Sequence, residues 1–103
     1  MKIIGKIDKE IYKCITEDIR TDEVIITDER IAHIRERHPG DFERYLSYFN
    51  NIISNPDYIL EANKPNTAFI LKEIDDSGEK FEMILRLAIS SDPEGNKNSI
   101  ITF

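Results

Sequence analysis

Residues 41–62 read DFERYLSYFNNIISNPDYILEA, and the period of their apolar positions changes at Pro56. Before the proline, Phe42, Tyr45, Leu46, Phe49, Ile52 and Ile53 recur at three- and four-residue steps, the spacing that draws one apolar stripe along an α-helix. Beyond it the period falls to two, as on a half-buried β-strand. Proline has no backbone donor and disfavours helical geometry in the residue before it, so the helix ends ahead of Pro56.

Toward the N-terminus, Thr27 is a suitable N-cap, Asp28 and Glu29 put negative charge on a first helical turn, and Ile26 stands where it can staple against Ile31. A helix is predicted from here until Pro39 ends it at His38. Further upstream, KIIGKIDKEIYKCI reads as a small hairpin turning at Asp8 and Lys9, with Ile7 and Ile11 flanking the turn. The charged stretch TEDIRTDE over residues 16–23 reads as a loop.

Toward the C-terminus, DYILEA, TAFILKEI, FEMILRLAI and NSIITF are candidate strands. Asp75-Asp76-Ser77-Gly78 suits a hairpin loop, and Asp92-Pro93-Glu94-Gly95 has proline and glycine where a type I turn favours them. In FEMILRLAI, Phe81, Met83, Leu85, Leu87 and Ile89 alternate with Glu82, Ile84, Arg86 and Ala88, which predicts Arg86 on the side away from the helices. The same alternation turns Ile101 and Phe103 inward and leaves Ile100 and Thr102 beside Arg86. Lys72 joins them if Phe69 and Leu71 face the core, on a strand that is apolar on both faces. The predicted class is α+β: an N-terminal hairpin and two helices packed on one face of a four-stranded antiparallel sheet. One domain over 1–103 is expected, with 1–23 a hairpin and loop extension and 24–103 the core.

The composition, 40% apolar and 33% charged, fits a globular protein, and no apolar run approaches the roughly 18 residues of a membrane span. The start, MKIIGKIDKE, lacks the apolar core of a signal peptide, so the cytoplasm is the expected location and no membrane partner is expected. Cys14, the single cysteine, has no partner for an internal disulfide. A net charge of −6 opposes long-range attraction to nucleic acid, so any such contact must rest on a local positive patch. The segment from Arg30 to His38 offers one, with three arginines and two histidines against Glu36.

On that helix, Arg30, His33 and Arg37 fall within one sector, whereas His38 lies about 140° around from His33. One reading makes His33 a proton-transfer group, since imidazole exchanges protons near neutrality, with the arginines holding a phosphate. The other makes Arg30, His33, Arg35 and Arg37 a solvated polar face, and His38 a helix-end residue favourable to the dipole. Metal binding is disfavoured, because His33 and His38 are five residues apart rather than the four that align two ligands. No cofactor motif is present, so no cofactor or metal is expected.

Taken in order, IITDERIAHIRERHP, the aromatic helix, NPDYIL, KPNTAFILKEI, the basic residue of LRL and the closing NSIITF resemble the phage-associated nuclease-like domains grouped with barnase, EndoU, colicin-type tRNases and RelE. The resemblance covers roughly residues 24–103. It implies N-terminal helices before a four-stranded antiparallel sheet, and a metal-independent endoribonuclease of phage or mobile-element origin, a toxin or effector. Carried over by position, it implies a site of His33, Arg37, His38, Arg86 and Thr102, with Arg30, Lys72 and Ser99 binding substrate. The implied chemistry is attack of an RNA 2′-hydroxyl on the adjacent phosphate, with a base such as His33 and with Arg86, Lys72 or Arg37 stabilising the phosphorane. RNA, as tRNA or mRNA, is then the expected partner, and a protein inhibitor is a further candidate. The competing expectation is a non-catalytic nuclease-like module that docks a protein or RNA.

Overall fold

The computed structural model describes residues 1–74 and 78–103. The hairpin loop expected at Asp75-Asp76-Ser77-Gly78 therefore lies, except for Gly78, outside the described residues. In chain order the elements are β1 (Lys2–Lys6), β2 (Glu23–Ile26), α1 (Asp28–Arg37), α2 (Asp41–Ser54), β3 (Tyr58–Glu61), β4 (Thr67–Ile74), β5 (Glu79–Arg86) and β6 (Asn98–Thr102).

Among the described residues the strands form one six-stranded mixed sheet in the order β1-β2-β6-β5-β4-β3. The four expected strands are its antiparallel part, and β2 joins them by pairing parallel to β6, Val24 with Asn98 and Ile25 with Ser99. The four-stranded expectation is corrected to this extent. The N-terminal hairpin is corrected with it: β1 pairs antiparallel with β2 instead of folding back at Asp8. Residues 9–15 coil into turns instead, with Ile15 N–H on Tyr12 O at 3.0 Å, and they bury Tyr12 completely. The Tyr12 hydroxyl donates to Ile53 O at 2.7 Å, and burial pushes its pKa well up.

The helices begin and end where local chemistry says they should. Thr27 caps α1 by accepting from Arg30 N–H at 3.2 Å, which satisfies one of the free donors of the first turn. Gly40, at φ +85°, separates α1 from α2 in a left-handed conformation that a side chain would strain. Phe42, Phe49, Ile52 and Ile53 of α2 are buried with Ile31 and Ile34 of α1 against the inner sheet face. Ala68, Ile70, Met83, Leu85 and Ile100 form that face.

Two inward-outward assignments on the sheet need correction. On β6, Thr102 pairs with Ile84 but Ile100 pairs with Leu85, so Ile101 is an extra residue in a bulge. The bulge resets the alternation: Ile100 is fully buried rather than outward, and Thr102 stays on the outer side. On β4, Lys72 pairs with Phe81, and Ala68, Ile70 and Ile74 are buried, so Lys72 faces inward while Phe69 and Leu71 face out. The strand of FEMILRLAI ends at Arg86, and Ala88 is buried with its N–H on Asn98 Oδ1 at 2.7 Å. The turn expected at Asp92–Gly95 closes one residue later, by Asn96 N–H on Pro93 O at 3.2 Å with Gly95 at φ +89°.

Candidate active site

Pro39 ends α1, and His38 leaves helical geometry at φ −134° while its N–H still reaches Ile34 O at 2.8 Å. The reversal at Gly40 then starts α2 at Asp41. Between this helix turn and the far end of the β4-β5 pair lies a cavity of about 600 Å³. His38, Asp41 and Tyr45 line it from the helices, and Asp57, Lys72 and Phe81 line it from the sheet.

The apolar inner face is interrupted here, between buried Ile70 and Ile74, because Lys72 occupies an inward position. Its side chain keeps only 10% of its surface exposed, and its ammonium stands 3.4 Å from Asp57 Oδ1. The other Asp57 oxygen accepts from Glu73 N–H at 2.7 Å. That backbone donor, followed by the Lys72 charge, holds the Asp57 carboxyl below the usual carboxylate range. The Tyr45 ring packs edge-on against Phe81 at 4.9 Å, and partial burial, with the nearby Glu79 carboxylate, raises its hydroxyl pKa.

The other sequence-predicted residues divide into two further groups. Arg86, Ser99 and Thr102 share the outer face, Arg86 beside Ser99 and Thr102 beside Ile84. The Arg86 guanidinium is tied to Asp92 Oδ1 at 3.0 Å and to Leu87 O. The Ile89 N–H first, then Arg86, lowers the Asp92 pKa. Arg30, His33 and Arg37 lie exposed on α1, and among the described residues none has an ion pair or hydrogen-bonded side chain. The structure thus brings His38 and Lys72 to one cavity. It leaves Arg86 across the sheet from Lys72, and His33 outside the residues that line the cavity. Asp57 and Tyr45 are cavity residues that the pattern did not single out, since Tyr45 read as part of a core stripe. The available signal was Lys72 itself, a charge in phase with Ala68, Ile70 and Ile74.

The family model of phage-Barnase-EndoU-ColicinE5/D-RelE like nuclease2 domains, PBECR2, matches residues 1–102. The chain belongs to this family. No curated protein and no solved structure matches it. The PBECR2 match takes in β1 and the turns of residues 9–15, beyond the resemblance that begins at residue 24. A family named for nucleases directs attention to phosphodiester chemistry, for which an imidazole and a largely buried ammonium lining the same cavity are suitable groups. No helix among the described residues is long and apolar enough to cross a membrane.

Proposed function

We propose that this PBECR2 domain is a metal-independent endoribonuclease whose scissile phosphodiester sits in the cavity between His38 and Lys72. The observation that carries the reading is that both groups line one cavity, from its helix side and its sheet side, in a nuclease-family chain. His38 takes the proton of the 2′-hydroxyl as it attacks the adjacent phosphorus. Lys72, whose side chain is 10% exposed, stabilises the negative charge that builds on the phosphorane. Tyr45 gives a proton to the departing 5′-oxygen, which leaves a 2′,3′-cyclic phosphate. Arg86, Ser99 and Thr102 lie on the other face of the sheet, with the Arg86 guanidinium on Asp92, and take no part in this step.

The test is incubation of purified protein with RNA in EDTA. Cleavage with cyclic-phosphate ends is expected, falling about 100-fold in His38→Ala and in Lys72→Ala, the range typical of lost acid-base or charge-stabilising groups. Cleavage indifferent to both substitutions, or dependent on an added metal, overturns the mechanism.

One observation favours a second reading, a non-catalytic nuclease-like module that docks a protein. Five carboxylate residues line the cavity, Asp41, Asp57, Glu73, Glu79 and Glu82, against the lysines Lys72 and Lys80. Lys72 already has a carboxylate partner in the free protein. Binding without turnover, unchanged in His38→Ala, selects this alternative.

A further inference from the structure

The cavity explains one histidine and one lysine, and leaves the cationic residues of α1 without a role. Ile31 and Ile34 fix the buried side of that helix. At 100° per residue, Arg35 lies about 70° from the middle of that side in one direction, and Arg30, His33 and Arg37 lie about 70–130° in the other. On the Arg35 flank the helix meets α2: Arg35 pairs with Glu43 and its guanidinium stands 5.3 Å over the Phe42 ring. The Arg30–His33–Arg37 flank is turned away from α2 and is exposed throughout. In a chain of net charge −6, these three side chains stay without a carboxylate partner among the described residues, as do Lys2, Lys6, Lys9, Arg20, Lys64 and Lys80, but these three share one exposed flank of one helix.

We infer that this flank of α1 is a track for the sugar-phosphate backbone of a single-stranded RNA, leading to the cavity that His38 lines at the end of the same helix. The inference rests on the proposed ribonuclease reading for what happens in the cavity. From Arg30 to Arg37 the helix rises ~10 Å, which spans about three phosphates of a stacked strand. Arg35 and Arg37 in the last turn also offset the negative end of the helix dipole, which would otherwise repel a phosphate there. The strip is narrow. Glu29 and Glu36 follow it around the exposed back of the helix, so a second strand with its own phosphates meets carboxylates. A single strand avoids them.

The test uses a fluorescent 2′-O-methyl RNA oligonucleotide, which cannot react through a 2′-hydroxyl, as a single strand and as a duplex. Affinity is measured against salt concentration for the parent chain, Arg30→Ala, Arg37→Ala, Arg30→Lys and Lys64→Ala. Each phosphate contact contributes about 0.7 to the slope of log affinity against log salt for a single strand. Arg30→Ala and Arg37→Ala are expected to lower the slope by about that amount each, and Arg30→Lys to preserve it. The exposed Lys64, far along the chain on the β3-β4 turn, is expected to be neutral on substitution. The duplex should bind more weakly than the single strand. An unchanged slope in both alanine variants overturns the inference, as does equal loss in Lys64→Ala or a duplex that binds as tightly. Because the probe is uncleavable, failure of the ribonuclease reading leaves this measurement unaffected, and the two ideas fail separately.

Discussion

At the Leu85 end of the inner sheet face the packing is closed: Met83, Leu85 and Ile100 have no exposed surface, nor have Phe49, Ile52 and Ile53 opposite them on α2. At the Lys72 end of the same face, a few residues along the same two strands, a cavity opens between helix and sheet. The strands do not change their alternation between the two ends. What changes is one inward side chain, from Met83 and Ile70 in the closed part to Lys72 beside Phe81 in the open part. An ammonium at a core-facing position cannot be sealed in without a partner or solvent, because the cost of dehydrating the charge exceeds what packing returns. Asp57 supplies the partner and the cavity supplies the solvent. The same requirement that opens the core here also makes a cation available to an anionic ligand.

The sharpest way to break this contrast is to weaken the closed end. Leu85→Ala removes a fully buried side chain from a region with nowhere to collapse, and is expected to cost about 3 kcal/mol of stability in urea unfolding. A loss under about 1 kcal/mol means that the Leu85 end is not closely packed and the two ends do not differ. The open end should respond differently. Lys72→Met removes the charge but keeps an unbranched apolar stem of similar reach, and it leaves Asp57 with its Glu73 N–H and with 42% of its side chain exposed. Partly exposed pairs contribute up to about 1 kcal/mol, so unfolding stability is expected to stay within that margin of the parent. RNA cleavage should still fall. A loss as large as that of Leu85→Ala makes Lys72 a structural residue and removes the reason for the cavity.

The sequence yields most of the elements built from near neighbours. The Thr27 cap, the break at Pro39 and the apolar stripe of α2 depend on contacts three or four residues apart, and each stands where the pattern predicts. So do the antiparallel pairings of β3 through β6, which join strands consecutive in the chain. The place of β1 and β2 was hidden, since the parallel pairing of β2 with β6 joins residues 24 and 98 and leaves no local signature. Around Asp8 the alternation suggested a hairpin, but Tyr12 gains more by burial against α2 than a strand at that position offers. Site residues follow the same division. That His38 and Lys72 are site candidates could be written down from residue type and resemblance, whereas their meeting depends on strand parity. That parity was ambiguous on β4, where both faces are apolar, and on β6, where a single bulged residue at Ile101 inverts it.

The smallest expected effect separates the two supports of Asp57. Its carboxyl pKa lies below the usual range, so the folded state favours the ionised form more than the unfolded chain does. That contribution is complete above the ordinary carboxylate range near pH 4 and is lost as pH falls through the lower folded value. Asp57→Asn should therefore be less stable than the parent near neutrality and close the gap on acidification, a convergence read from urea midpoints at pH 6 and pH 2.5. The larger support is the Glu73 N–H rather than the Lys72 charge, and hydrogen bonds are screened by salt much less than exposed ion pairs are. Lys72→Met should then keep most of the parent's acid response, and added salt should alter it little. If that response disappears with Lys72, the ammonium is what holds Asp57, and the cavity's cation is committed to its carboxylate too strongly to serve a phosphate.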